Sequence, residues 1–402
     1  MGPIYLDNNA TTQCDPRVID AMMPYFTEQF GNPSSMHSFG NKVGLAVKKA
    51  RAQVQTLIGA EHDSEVIFTS CGTESDSTAI LSALRAQPER KEIITSTVEH
   101  PAVLSLAEHL EKEGYTVHRI GVDGQGRIDL DAYRAKLSPN VAIASFMWAN
   151  NETGTIFPVE RMAEMAHEAG VMFHTDAVQA VGKLPIDLRN TRIDMLSLSG
   201  HKLHAPKGIG VLYLKRSTRF RPLLRGGHQE RGRRAGTENV PAIVGLGVAA
   251  ELALEHMAFE NTTVKRMRDQ LQDGILAQVP NAFATGDVDN RLPNTANIAF
   301  EYIEGEAILL LLNKEGIAAS SGSACTSGSL EPSHVMRAMG IPYTAAHGTV
   351  RFSLSRHTRD CEIERVIQAV PPIVARLRKL SPYWAGDKPL AEPEKAFAPS
   401  YA

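Results

Sequence analysis

The chain has 402 residues, 43% hydrophobic and 22% charged, close to globular averages, which excludes a wholly disordered, collagen-like or membrane-embedded protein. Lys and Arg total 42 against 45 Asp and Glu, a net charge of -3, so the overall field gives no reason to expect nucleic-acid binding. This length predicts one very large domain or two to three ordinary ones.

The N-terminus, Met1-Gly2-Pro3-Ile4-Tyr5-Leu6-Asp7, lacks a basic start followed by an apolar stretch. The longest aliphatic block, 308–312, is too short to span a bilayer. A cytoplasmic protein with no membrane partner is therefore expected, and four scattered cysteines, Cys14, Cys71, Cys325 and Cys361, agree with a reducing compartment.

From 64 to 214, short β-rich runs alternate with helical patterns, the rhythm of parallel strands joined by crossover helices. Strands are predicted at 66–68, 92–94, 141–147, 171–174, 195–198 and 211–214, mostly uninterrupted by charge, as strands covered on both faces should be. A helix is predicted from Pro158, with Val159, Met162, Ala163 and Ala166 on one face and Gly170 as its stop. Beyond Pro241 an Ala, Leu and Glu-rich helix runs through His256, and 262–279 reads as a second. Strands at 297–300 and 350–354 and helices at 305–315 and 361–380 follow. The end, 381–402, carries four prolines without hydrophobic periodicity and is expected to be a loosely held tail. The fold class is α/β. We divide it into a large, mostly parallel-sheet domain over 15–258 and a smaller α+β domain made of 1–14 and 259–380.

The chemistry concentrates between His174 and Lys202. The run Val171-Met172-Phe173-His174-Thr175-Asp176 reads as a buried strand delivering an acid at its C-terminal end, where open α/β sheets build sites. Gln179 follows, and a second strand ends in Ser197-Leu198-Ser199-Gly200-His201-Lys202, placing a lysine at the same sheet edge. A carboxylate opposite a lysine suits pyridoxal 5'-phosphate: the amine condenses with the aldehyde and the acid keeps the pyridine nitrogen protonated. Either residue alone is more often a surface lysine or a turn-capping acid; the joint pattern favours the cofactor.

An anion cradle is supplied by the strand ending at Thr69 and the small-residue turn Ser70-Cys71-Gly72-Thr73-Glu74-Ser75, which opens a helix with free N–H groups. By itself this is a capped helix with Thr73 or Ser75 as the cap. Ser199 and His201 add side-chain donors. The segment 319–329 has no side chain larger than threonine and contains Cys325; a mobile, accessible thiol of this kind can carry a group between two places, so Cys325 is the candidate nucleophile. The other three cysteines read as structural.

Together these motifs resemble the pyridoxal-phosphate-dependent cysteine desulfurases over nearly the whole chain. The matches are Tyr5-Leu6-Asp7-Asn8-Asn9-Ala10-Thr11-Thr12, Glu99-His100, Asn150-Asn151-Glu152-Thr153-Gly154, Ser199-Gly200-His201-Lys202, Arg234-Ala235-Gly236-Thr237-Glu238-Asn239 and Ser321-Gly322-Ser323-Ala324-Cys325. One departure is Cys71-Gly72-Thr73-Glu74, where many relatives read Gly-Ala-Thr-Glu.

The resemblance implies a fold type I transferase of the aminotransferase class V kind. It assigns the cofactor aldehyde to Lys202, the pyridine nitrogen to Asp176, and the surroundings of the phenolic oxygen to Gln179 and Asn151. It gives the phosphate to Gly72, Thr73, Ser199 and His201, with Thr237 reaching in from the second subunit of a homodimer. His100 becomes an acid-base group over the ring, and Arg351 the partner of the substrate carboxylate, its alternative being an anion within the protein. The implied reaction converts L-cysteine to L-alanine, leaving a persulfide on Cys325. The sulfur then goes to an iron–sulfur scaffold protein of the NifU type, for nitrogenase clusters, with Cys325 as a possible transient iron–sulfur ligand shared with the scaffold.

Three readings compete. Six arginines between Arg219 and Arg234 resemble an anion-binding or nucleic-acid arm, against which stand the net charge and the lack of interleaved aromatics beyond Phe220. A zinc site on His201 and His204 lacks further ligands at a metal-binding spacing. Transamination or selenocysteine cleavage would share the cofactor chemistry, and Cys325 separates these from desulfuration.

Overall fold

The computed structural model describes residues 2–321, 332–386 and 388–390. Its centre is a seven-stranded sheet of β1 (Val66–Thr69), β2 (Glu92–Ser96), β3 (Thr116–Ile120), β4 (Val141–Met147), β5 (Met172–Asp176), β6 (Met195–Ser199) and β7 (Gly210–Leu214). The strand order is β1-β7-β6-β5-β4-β2-β3. Neighbours from β6 to β3 pair in parallel, while β7 runs antiparallel to both β6 and β1. The expectation of crossover connections fails only there, because residues 200–209 are too few for a covering helix. Strand β3 was not predicted; it is the sheet edge, and its polar Thr116, His118 and Arg119 hide the hydrophobic signal.

Both faces of the sheet are covered, which explains the apolar runs. All seven residues of β4 are buried. On one face Phe146 stacks on Phe173 at 6.3 Å and meets the edge of Tyr133 at 5.1 Å, over Met162, Ala163 and Ala166 of helix Val159–Glu168. On the other, Ile67, Ile93, Ile143 and Leu212 pack against Ala79, Ile80 and Ala83 of helix Gly72–Ala86. Pro158 is the cap of helix Val159–Glu168 rather than its first residue.

Helix Val240–Phe259 lies along helix Ser38–Ile58, close enough that a Cβ on Gly247 would come within 2.7 Å of the Ala50 Cα. The stretch Val240–Leu276 is long and apolar enough to cross a membrane, but half of its most apolar window is buried inside the fold, so it is a core helix. It passes through a π-turn, Glu260–Val264, before continuing as Lys265–Leu276, three residues after the predicted start. Asn261, Thr262 and Thr263 are weak helix formers at that point.

A second core forms around the antiparallel strands Ala282–Ala284, Thr295–Phe300 and Thr349–Ser353, with helices Gly305–Lys314 and Asp360–Arg378. The N-terminal strand Ile4–Tyr5 pairs in parallel with Ile317–Ala318 and adds Ile4 and Leu6 to this core. Val335, Met336 and Met339 pack instead with the large-sheet core. The segment expected to be a loose tail begins with a docked turn: Trp384 lies 5.9 Å from Tyr302 and under the Arg378 guanidinium at 4.4 Å. Residues 391–402 lie outside the described residues.

Candidate active site

The C-terminal ends of β1, β2, β4, β5 and β6 converge on a cavity of about 480 Å³. It is lined by ten of the predicted residues: Gly72, Thr73, His100, Asn151, Asp176, Gln179, Ser199, His201, Lys202 and Arg351. Thr237 is not among them; it is exposed and lines a separate pocket with Arg234 and Gly236. Cys325, predicted both as nucleophile and as possible iron–sulfur ligand, lies outside the described residues.

Lys202 ends the tight turn Gly200–Lys202 that follows β6, and its Nζ donates to the carbonyl oxygens of Ala10, at 2.7 Å, and Asn9. Burial, followed by the charges of Arg351 and Lys183, pulls its amine down to about 7 against the opposing pull of Asp7 and Asp176. An amine balanced near neutrality is available as a nucleophile.

Asp176 closes β5, and its Oδ1 accepts from the Val178 N–H at 2.9 Å. Burial pushes this carboxyl up, while the Val178 N–H, His100 and Lys202 hold it down. An ionised carboxylate at this depth calls for a cation opposite it. His174 lies two residues earlier, on the same strand face. Its Nδ1 lies 2.8 Å from the Ser145 hydroxyl and its Nε2 2.9 Å from that of Ser197, and burial holds the ring down to about 3, hence neutral. Sequence reading passed over the buried Asp76, whose Oδ1 lies 3.6 Å from His174 Nε2. Burial and the nearby Asp176 raise its carboxyl well above the ordinary range.

His100 caps helix Pro101–Lys112, its Nδ1 accepting from the Ala102 N–H at 3.1 Å. In the neutral ring the proton therefore sits on Nε2. Burial lowers this imidazole, with Lys202 and His334 acting in the same sense and Asp176 opposing.

The cradle is the first turn of helix Gly72–Ala86, where N–H groups have no partner within the helix. Its cap is Cys71, not Thr73 or Ser75; the Ser75 hydroxyl instead bonds the Cys71 carbonyl at 3.2 Å. The packing at 72 is close, since a Cβ there would meet Val178 Cγ2 at 2.9 Å and that side chain would have to shift. His201 faces Thr11 Oγ1 at 3.1 Å, and burial, then Lys202, takes it down to about 4.

Arg351 is 2% exposed and does find an anion within the protein, donating to Asp7 Oδ1 at 2.8 Å and to the Asn151 carbonyl at 2.9 Å. Among the described residues its Nε is buried without a partner, as is Gln179 Oε1, whose Nε2 is bonded to the Asn9 carbonyl at 2.9 Å. Glu152 and His334 also line the cavity unpredicted. Glu152 accepts from the Ser333 hydroxyl at 2.6 Å, and His334 Nε2 lies 3.0 Å from the Glu99 carbonyl.

The competing sites lose some of their residues to internal contacts, although Arg219, Arg221, Arg225 and Arg231 remain exposed. Arg51 takes Glu230 in two bonds of 2.7 Å, Arg234 pairs with Glu74 at 2.9 Å, and Arg233 bonds the Ser64 carbonyl at 2.7 Å, so the end of this stretch, 230–234, is tied into the fold. His204 bonds the Gln13 carbonyl, and no group of three metal-ligating side chains occurs among the described residues.

The amine, the buried acid in need of a cation, the open N–H cradle and the orphaned Gln179 Oε1 fit pyridoxal phosphate in aldehyde, pyridine nitrogen, phosphate and phenolic hydroxyl. Residues 4–366 match the family Aminotransferase class-V. The chain is 74% identical, over 100% of both chains, to "Cysteine desulfurase NifS" of Azotobacter vinelandii. It is 66% identical, again over 100% of both, to "Cysteine desulfurase" of Gluconacetobacter diazotrophicus. A solved structure described as "NIFS-LIKE PROTEIN" is 35% identical with a TM-score of 0.88, covering 93% of this chain and 100% of that one.

Proposed function

The chain belongs to the aminotransferase class-V family and is a pyridoxal-phosphate-dependent cysteine desulfurase acting on L-cysteine, and from that premise we propose how its residues divide the work. The observation that carries the assignment is Lys202 and Asp176 at the ends of adjacent strands, facing one cavity. The cofactor, when bound, supplies an electron sink that weakens the bond between the substrate β-carbon and sulfur.

Lys202 would hold the cofactor by its aldehyde, and Asp176 would keep its pyridine nitrogen protonated. Gly72, Thr73, Ser199 and His201 hold the phosphate, and Gln179 and Asn151 stand near the phenolic oxygen. Arg351, already braced by Asp7, receives the substrate carboxylate at its open guanidinium edge. His100 moves protons at Nε2. The thiolate of Cys325 attacks the substrate sulfur: a sulfur–sulfur bond forms, the carbon–sulfur bond breaks, and its electron pair stays on carbon, which is protonated and leaves as L-alanine.

A homodimer completes the cradle, with Thr237 reaching the partner's phosphate. It is supported by the exposure of Thr237 outside its own cavity and by the exposed apolar Phe30, Met36, Phe39 and Leu45. The large domain spans 15–258 and the small one 1–14 with 259–380, from which Val335, Met336 and Met339 reach back onto the large-sheet core. Sulfur leaves Cys325 for a scaffold of the NifU type in the cytoplasm, for iron–sulfur cluster assembly with nitrogenase as destination.

The test is borohydride reduction of the loaded protein followed by peptide mass spectrometry. The cofactor should be found on Lys202; attachment to another lysine, or none, would contradict the assignment.

A further inference from the structure

A second buried lysine lies behind the first. Lys183 is 7% exposed, and its Nζ donates to the Gln179 carbonyl at 3.1 Å. Gln179 Nε2 donates to the Asn9 carbonyl, which also accepts from Lys202. A single bonded path thus joins the two amines. Both also line one cavity of about 20 Å³, with Glu260 and Arg356. This is too small for bulk solvent, so charges around it act with little screening.

Counting the charges on every element packed here shows which are paired. Arg351 on its strand is paired with Asp7, and Arg356 with Asp15 at 2.9 Å. His201 and His204 on the Lys202 turn are held neutral, at about 4 and about 3, and burial also lowers His100. Asp176 faces from β5. Glu260, on the π-turn, has a buried Oε2 with no hydrogen-bond partner among the described residues; burial pushes its carboxyl up, while Lys183 and Arg356 hold it down. Unlike Arg351 and Arg356, Lys183 has no acid within 4 Å among the described residues; burial pulls its amine down to about 8 against the opposing pull of Glu260 across the cavity.

We propose that Lys183 is a positioning residue for Lys202: its buried ammonium, with no acid in ion-pair contact, favours the uncharged amine at Lys202, so that this amine can recapture the cofactor at neutral pH. The proposal deepens the reading of Lys202 as the cofactor lysine and rests on it. The precedent in physical terms is an amine desolvated beside another cation.

The test uses protein freed of cofactor, so that no turnover is involved. Competitive acetylation across neutral and alkaline pH, read by peptide mass spectrometry, gives the titration midpoint of Lys202. In the unaltered chain it should lie near neutrality. Lys183→Met should raise it by about half a unit or more, and Lys183→Arg, which keeps the charge, should leave it near its original value. Where Lys183→Met fails to fold, Lys183→Gln carries the same expectation. A midpoint in the ordinary lysine range for the unaltered chain would overturn the proposal. So would a neutral variant, folded by circular dichroism, that leaves the midpoint in place. Failure of the underlying reading is separate: borohydride would then not trap cofactor on Lys202 in the loaded protein.

Discussion

Arg351 and Asp7 stand 344 residues apart in the chain and 2.8 Å apart in space. The contact ties the N-terminal segment to the strand Thr349–Ser353 and fixes the guanidinium plane at the cavity wall. With one nitrogen on Asp7 and another on the Asn151 carbonyl, the Nε edge is left without a partner among the described residues.

Arg351→Lys keeps the charge but loses this fork. The KM for L-cysteine should rise about 10-fold or more, matching the loss of one charge-assisted hydrogen bond, while cofactor retention stays unchanged. Steady-state sulfide release and the visible spectrum read the two effects separately; an unaltered KM would remove Arg351 from substrate binding.

Asp176→Asn preserves shape and removes the charge that holds a protonated pyridine nitrogen. Catalysis should fall by about 100-fold or more, with faster cofactor loss on dialysis. Retention and activity equal to the parent protein would show that the carboxylate is not the ring's partner.

His100 has two separable duties. His100→Asn retains a side chain able to cap helix Pro101–Lys112, so stability should hold, whereas His100→Ala should lose about 1 kcal/mol. Both should be slow in turnover. Since burial lowers this imidazole, activity that needs its neutral form should persist below the ordinary histidine range and decline only as pH falls through the lowered value. Urea unfolding and pH–rate profiles of the two variants test this; a fully active His100→Asn would confine His100 to capping.

How much of this was visible in the chain depended on whether a signal was local. Asp176 and Lys202 could be placed because each closes a strand-like run free of carboxylates, lysines and arginines, and a strand end in an open sheet is where ligands bind. Asp76 and Glu152 were passed over because a polar residue within a helix or loop reads as solvent-facing until the fold packs something on it. Cys71 displaced Thr73 and Ser75 as the cap because the turn leaves the strand sooner than the preference for hydroxyl caps implies. The antiparallel β7 could have been found, since ten residues from Gly200 to Ile209 cannot make a crossover. The interaction of Arg351 with Asp7 has no local sign at all.

His174 also makes stability depend on pH. Its folded value of about 3 lies below the free value of 6.5. The unfolded chain therefore takes up a proton first as pH falls. The stabilisation is full above 6.5 and lost on acidification toward 3, at up to about 1.4 kcal/mol per pH unit. His174→Gln should flatten that part of the slope in urea titrations at successive pH values; an unchanged slope would show that His174 does not govern it.

The central claim is that sulfur released in the cavity is collected by one thiol. Brief exposure of the loaded protein to L-cysteine, then non-reducing peptide mass spectrometry, tests it most directly. The account predicts one added sulfur atom on the peptide containing Cys325 and none in Cys325→Ala. Sulfur found on Cys71 instead, or normal sulfide release from Cys325→Ala, would contradict it.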